Sequence, residues 1–489
     1  MKLFGRSVRE NRMLTREQFQ TIYEQGPDVL FELFTAMQAQ IDALQAEVKA
    51  LRDRLDTDSH NSSQPPSSDG LAKKPVSLRS QTGRKPGAQK GHPGRTLSFS
   101  EHPDQVVVHT PVCCARCGQT LDAVAGREVA RRQVVDLPPL SLITTEHRVQ
   151  QKVCPDCGYK TVAPFPVEAP TQVQYGPRLK ALGVYLLSFQ LLPYQRIAGL
   201  FTDLFDASFS VGTLFASQQT ASRRLEEVLG SIRQALRRAP VAHFDETGAY
   251  LGGKLHWLHA ASTPTWTYYD WHRRRGKAGM DKADILAHFG GIALHDGWSS
   301  YQHYGCAHAL CNAHHLRELT ALYEQDAQEW AAKMRSLLVE IKQAVEHAKE
   351  QDRSRLSPLL EMRFEARYRR LLVEGLAANP PPDAKPGKRG RPKQSRARNL
   401  LDRLQHGREA TLRFMYEFAV PFDNNLAERD IRMMKVQQKV SGGFRSADGA
   451  TAFCRIRSYI STLRKQGQNV LSALEHVFRD KPLCPQFQG

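Results

Sequence analysis

The 489-residue sequence contains no run of about 18 apolar residues, so it offers no helix able to span a bilayer. The first residues, Met1 to Arg12, carry charge but neither an apolar segment nor a small-residue cleavage site, which argues against secretion. Cysteine is sparse, 9 in 489, too few and too odd in number for a disulfide scaffold. Acidic residues are also short, 50 against 68 Lys and Arg, which leaves a formal charge of +18. Such a field favours polyanions, and nucleic acid is a better match than an acidic membrane surface. The expectation is a cytoplasmic, nucleoid-associated protein with no membrane contact. Its length predicts three or four domains, at roughly 100 to 200 residues each.

What is present is arranged in blocks. Leu30, Phe34, Met37, Ile41, Leu44, Val48, Leu51 and Leu55 alternate steps of four and three, the seam of a coiled-coil helix over 14–57 that predicts a homo-oligomer. The same stripe could also dock on its own chain. Segment 58–100 is a basic Pro/Gly/Ser linker holding Arg84, Lys85 and Lys90, suited to phosphate neutralisation or to a plain solvated tether. Within 101–170, Cys114 and Cys117 (CARCG) and Cys154 and Cys157 (CPDCG) each form Cys-x-x-Cys-Gly, the knuckle spacing of a structural Zn²⁺ site, with ribbon strands expected across Glu128 to Val149. Four thiolates leave no open position on the metal, so this zinc is expected to be structural rather than catalytic. Segment 171–239 reads as short helices, one capped by Ser210, in a layout like a helix-turn-helix, followed by a basic helix with Arg223, Arg224, Arg233, Arg237 and Arg238.

From 240 the pattern changes. Strands are expected at Val241 to Asp245, Leu255 to Ala260 and Thr265 to Tyr269, then a helix at Lys277 to Phe289 and a strand at Gly291 to Asp296. A short helix at Ser300 to Tyr304, a strand at His308 to Cys311 and a long helix from Asn312 follow. That order of elements is ribonuclease-H-like. In such a sheet the first and fourth strands are neighbours, so Asp245 and Asp296 come within reach of one metal. A third carboxylate is expected from PFDNNLAERDIR, where Glu428, Arg432 and Lys435 share a helical face, although Asp423 and Asp430 flank Glu428 and spacing does not exclude them. Carboxylate oxygens are what Mg²⁺ or Mn²⁺ prefers, and two such ions serve phosphoryl transfer. Arg429, Arg432, Lys435, Lys439 and Arg445 are the cations placed to hold DNA there.

Several motifs occur together: the coiled-coil seam, NSSQPPSSD, GRKPGAQKGHPG, the four cysteines, HFDETG, LHDGW, CNAHHLREL and PFDNNLAERDIR. In this order they resemble the insertion sequence 66 family of bacterial DDE transposases. The resemblance implies metal-dependent strand cleavage at mobile-element ends and strand transfer into target DNA, with Asp245, Asp296 and Glu428 as catalytic ligands of two Mg²⁺ or Mn²⁺ ions. It also implies that Glu246 faces away from Asp245, and that accessory proteins of the same element are possible partners beside DNA. The Cys311-x-x-His314 step resembles one seen after the second Asp in several DDE groups, with packing or zinc ligation both open. The histidines around it, His295, His303, His308 and His315, read as structural or DNA-facing.

The whole is expected to be a multidomain α/β protein. A ribonuclease-H-like catalytic core, 240–312 with 415–450, carries a helical insertion at 313–414 that includes a basic loop at 378–399. The coiled coil, zinc ribbon and helical DNA-binding-type domain precede this core, and C-terminal helices occupy 451–489. Two other readings remain at this point: a zinc-containing DNA-binding regulator without catalysis, and a nuclease of the same fold that does not join strands.

Overall fold

The computed structural model describes residues 15–55, 58, 61–62, 91, 97–166, 168–382 and 394–486. Arg84, Lys85, Lys90, nearly all of the linker 58–96 and the stretch 383–393 of the basic loop lie outside the described residues. The chain divides into two compact units: Met1–Val76 with Leu229–Lys435 and Gln486–Gly489, and Ser77–Val228 with Val436–Pro485. Among the described residues no helix is long and apolar enough to cross a membrane.

The first unit begins with α1 (Arg16–Glu24) and α2 (Pro27–Leu55), separated by Gly26 at φ 101°, a backbone conformation that glycine adopts without a Cβ clash. The apolar seam of α2 is not buried against its own unit: Phe34, Ile41, Leu44 and Leu51 remain 62, 44, 54 and 49% exposed. Two ion pairs, Lys49 to Asp326 and Arg396 to Asp53, both 3.6 Å, tie its C-terminal end to the rest of the unit.

In the second unit the segment 97–150 carries no strand, and valines expected in ribbon strands, such as Val129 and Val134, are exposed. The ordered pieces are the knuckles. A bridge pairs Cys113 with Thr120 around the first, and the hairpin of β1 (Gln151–Val153) and β2 (Lys160–Val162) frames the second. The expected strands are missing because a strand needs a partner ladder, and only the short chain beside each knuckle supplies one. Then α3 (Pro177–Ser188), α4 (Tyr194–Phe205) and α5 (Val211–Arg224) pack around Leu187, Ile197, Phe201, Phe209 and Leu214. Asp206, left-handed at φ 49°, ends α4, and Ser210 caps α5 by accepting from Thr213 N–H at 3.1 Å.

Next come α6 (Glu226–Arg238) and the sheet: β3 (Val241–Leu251), β4 (Lys254–Ser262), β5 (Thr267–His272), α7 (Lys277–Ala283), β6 (Ile292–His295) and β7 (Ala307–Leu310). Short 3₁₀ turns lie at Leu286–His288 and Ser299–His303. The strand order is β5-β4-β3-β6-β7, with β3, β4 and β5 antiparallel and β6 and β7 parallel to β3. The element order along the chain is the one the sequence suggested, but β3 is longer than expected. It runs six residues past Asp245, and its two-residue reversal falls at Gly252 and Gly253, both at positive φ, the demand of a tight hairpin turn.

The helices α8 (Asn312–Asp326), α9 (Glu329–Glu350), α10 (Pro358–Ala378), α11 (Arg396–His406) and α12 (Arg408–Tyr416) follow. They share one core with the sheet, since Leu294 of β6 and Ala309 of β7 belong to the same buried cluster as Leu319, Trp330, Ile341, Tyr368, Leu401 and Leu412. The helical insertion is thus continuous with the sheet's packing and not a separate body. The chain ends with α13 (Asn425–Ser441), α14 (Ala447–Lys465) and α15 (Val470–Phe478). The last two pack within the second unit, where Arg224 donates to Val477 O and Phe478 O and Arg457 to Ser188 O.

Candidate active site

Parallel pairing of β3 with β6 matches Val241, Ala242 and His243 to Ile292, Ala293 and Leu294. Carried two residues further, that register sets Asp245 opposite Asp296, where the two strands part. Asp245 Oδ1 accepts its neighbour's N–H, from Glu246 at 2.8 Å, and Asp296 Oδ1 accepts from Trp298 N–H at 2.9 Å, a turn helped by Gly297 at φ 88°. Burial pushes the Asp245 carboxyl well above the usual carboxylate range, and the charges of Glu246, Glu428 and Asp296 push it further. Those three groups are therefore close enough to act on one carboxyl.

Glu428 reaches this point because the start of α13 is fastened to the sheet. Buried Asn424 does most of the fastening: its amide nitrogen donates to Phe244 O at 2.8 Å, its oxygen meets His243 Nδ1 at 2.9 Å, and its backbone N–H points at Cys311 Sγ at 3.2 Å. Asn312 N–H adds a bond to Phe422 O at 3.1 Å. The three acids of this segment then separate by what holds them. Asp423 accepts Asn425 N–H at 3.2 Å, the work of a cap. Asp430 accepts Ser262 Oγ at 2.7 Å and Thr267 Oγ1 at 3.2 Å, and its carbonyl accepts Tyr269 OH at 2.8 Å. Glu428 instead has a buried carboxylate oxygen with no hydrogen-bond partner among the described residues. On the same helix Lys435 Nζ donates to Gly248 O of β3 at 3.0 Å, and partial burial lowers its pKa.

Next along β3, Glu246 shares Arg275 with Asp296. Its carboxylate accepts Arg275 Nε at 2.8 Å and Tyr301 OH at 2.7 Å, while the Arg275 guanidinium stands 3.5 Å from Asp296. Arg275 lies between two indoles, 5.1 Å from the Trp257 ring centre and 4.2 Å from Trp298. Burial and the Asp296 charge still raise the Glu246 pKa despite this pairing. Sequence reasoning missed Arg275, Tyr301 and the clamp role of Asn424. Nothing in WHRRRG distinguishes its third arginine from the two before it. Nearby, buried His295 stacks on Tyr301 and meets His308 at 3.0 Å, and burial lowers its pKa to about 3, a structural histidine.

The charges of Asp296 and Glu428 both act on Asp245, although the oxygens of the three do not all lie within 4.8 Å of one another. Among the described residues no basic side chain is salt-bridged to Asp245 or Glu428, and Glu428 keeps an orphaned buried oxygen, so the oxygen donors are of the kind a hard divalent cation takes. The knuckles fit a softer one by halves. Cys114 N–H donates to Gln119 O, Cys154 N–H to Tyr159 O, and Gly118 and Gly158 take φ 75° and 71° to close each turn. Backbone N–H groups within each knuckle and the partner cysteine lower the pKa of Cys114 and of Cys154. The group of three or more ligand atoms lying within 4.8 Å of one another, among the described residues, is however Cys311, His314 and Glu428, and the knuckle cysteines meet two by two.

Of the cations expected to hold DNA, Arg429, Arg432, Lys435, Lys439 and Arg445 are all exposed. Several arginines of α5 and α6 are otherwise engaged: Arg237 donates to Asp284 O at 2.8 Å, and Arg224 pairs with Asp480 at 2.9 Å.

A family model described as a family of unknown function (DUF6444) matches residues 9–98. No curated protein matches the chain. A second family model, Transposase IS66 family, matches residues 172–452, which takes in the sheet, α8 to α13 and Asp245, Glu246, Asp296 and Glu428. The chain belongs to the IS66 family of transposases.

Proposed function

We propose that the protein cuts DNA at the ends of a mobile element and joins the freed ends to target DNA, with Asp245, Asp296 and Glu428 holding the Mg²⁺ or Mn²⁺ ions that both steps need. The strand order β5-β4-β3-β6-β7 supports a ribonuclease-H-like core, and the β3–β6 register that sets Asp245 opposite Asp296, with the Glu428 charge acting on Asp245, is the observation that carries the reading. Bound there, a pair of such ions activates the nucleophile and stabilises the leaving oxygen. In the first step water attacks the phosphorus, the bond to the 3′ oxygen breaks, and a 3′-hydroxyl is released. In the second step that hydroxyl attacks a target phosphodiester in line and displaces a target 3′-hydroxyl. No covalent link to the chain is needed.

The chain's own residues supply the setting. Asn424 fixes where Glu428 enters, and Arg275 holds Glu246 and steadies Asp296. Arg429, Arg432 and Lys435 offer positive charge beside the carboxylates for the DNA backbone, with Lys439 and Arg445 extending it along the sequence. Cys114, Cys117, Cys154 and Cys157 are proposed as the ligands of one structural Zn²⁺, and the exposed seam of α2 as the route to the homo-oligomer that pairing two DNA ends requires. Accessory proteins of the same element remain part of the proposal as partners.

The test is Asp296→Asn with Mn²⁺ and DNA carrying the element's ends. Loss of cleavage by at least about 100-fold, the scale of losing one preorganised electrostatic partner, with DNA binding retained, is expected. An unaltered protein that binds this DNA but fails to cleave it under any divalent metal would instead indicate a regulator. Cleavage without joined products would indicate a nuclease.

A further inference from the structure

We propose that Cys311, His314 and Glu428 form a second metal site, for a single Zn²⁺-class ion, that shares Glu428 with the carboxylate trio.

The three come from two elements, the start of α8 and the start of α13, fastened at one point. Cys311 ends β7 and caps α8, and His314 lies in the first turn of α8, its N–H bonded to Cys311 O at 3.2 Å. Glu428 comes from α13, and the fastening of α13 to the sheet runs through the Asn424 N–H that points at Cys311 Sγ. The sulfur, the imidazole nitrogen and a carboxylate oxygen all lie within 4.8 Å of one another. A tetrahedral zinc site has ligand-to-ligand edges of roughly 3.4 to 3.8 Å, given its bond lengths of ~2.0 to 2.3 Å, so side-chain adjustments of about 1 Å would close the cage.

Two further observations point to a ligand. His314 Nδ1 and Glu428 Oε1 are both buried, and neither has a hydrogen-bond partner among the described residues. Two buried, unpartnered polar atoms on the two side chains beside this sulfur are costly to keep, on the order of 1 to 3 kcal/mol each. A cation among them satisfies both at once. Its class follows from the donors. One sulfur and one imidazole suit zinc and its borderline neighbours and are poor ligands for Mg²⁺, which takes oxygen. Cys311 binds as the thiolate and its proton passes to solvent, as for other zinc thiolates. Three protein ligands leave a fourth position for water.

The site stands independently of the strand chemistry, and only the sharing of Glu428 rests on that reading. The consequence is that one residue answers to two kinds of metal, so zinc occupancy and the Mg²⁺ requirement are linked.

The experiment uses the full chain, stripped of metal and titrated with Co²⁺, whose visible spectrum reports thiolate and imidazole ligation. The background is Cys114→Ser with Cys154→Ser, which removes one ligand from each knuckle. One equivalent of Co²⁺ with a thiolate band should remain, resist millimolar Mg²⁺, and vanish when Cys311→Ser or His314→Ala is added. Equal Co²⁺ binding with and without Cys311→Ser would overturn the proposal. If the double variant does not fold, zinc content measured in the otherwise unaltered chain serves instead. Cys311→Ser and His314→Ala should each remove one equivalent at an unchanged metal-free melting temperature, and an unchanged zinc content would overturn the site. Asp296→Asn separates the two readings, because it should abolish cleavage and leave the Cys311 band intact. A protein that binds Co²⁺ at Cys311 but never cleaves DNA would sink the strand chemistry alone.

Discussion

Asp245, Glu428 and Asp430 have the same chemical class and different surroundings, and the surroundings assign their work. Asp430 has two hydroxyl donors, so its loss strands Ser262 and Thr267. Asp430→Ala should therefore lower stability by about 1 to 3 kcal/mol, read by denaturant unfolding. Glu428→Gln should leave stability near that of the parent and remove cleavage. Asp245 carries a sign that can be checked. Its folded carboxyl is raised above its unfolded value, so in the window between the two the folded state holds a proton that the unfolded state has lost. Stability of the metal-free chain then falls as pH rises through that window. Asp245→Asn should raise the metal-free melting temperature at neutral pH, about 2 to 4 °C for each kcal/mol of repulsion relieved, and should cancel the increment that Mg²⁺ gives the parent. Differential scanning fluorimetry with and without Mg²⁺ reads both effects. Arg275→Ala leaves the buried Glu246 carboxylate with Tyr301 as a donor but without its charge partner. A loss on the order of 2 to 3 kcal/mol is expected, below the ~3 to 5 of a fully buried pair because Arg275 is 35% exposed.

At the scale of elements, α13 matters most, because its first turn decides where Glu428 lies. Asn424 makes three polar contacts while buried, so Asn424→Ala should cost about 2 to 3 kcal/mol and reduce cleavage more than Asp423→Ala, which loses only a cap. The helix was legible from NNLAERDIR, and the order of strands from alternation and glycine punctuation. Asp245 was placed at a strand end, whereas the strand continues to Leu251. The reason is that Gly248 fits a strand as well as a turn, and only the pairing of Leu251 with Lys254 settles which glycines make the reversal. Arg275 was not legible at all, since its meaning comes from two tryptophans and a glutamate brought together by long-range pairing. In α2 the heptad spacing was plain, and the seam stays exposed within its unit. Ile41→Asp with Leu44→Asp should shift the protein to a monomer in analytical ultracentrifugation. An unchanged oligomer would place self-association elsewhere.

For the whole molecule, sequence blocks and packed bodies differ in instructive ways. Helices after the sheet read as an insertion because 132 residues separate Asp296 from Glu428, long for a compact fold, yet they share a core with β6 and β7, so removing 313–414 should unfold the first unit rather than trim it. The valines of 128–149 read as strands because alternation is all a sequence can offer, while a strand also needs a neighbour. Charge was the most direct signal, since a surplus of 18 positive charges needs no fold to favour DNA. The measurement that bears most directly on the catalytic reading is a change of metal preference at one ligand. Asp296→Cys puts a thiolate where an oxygen stood, so cleavage of element-end DNA should fall by about 100-fold or more in Mg²⁺ and recover substantially in Mn²⁺, which tolerates sulfur better. Full activity of Asp296→Cys in Mg²⁺ would show that Asp296 holds no catalytic metal.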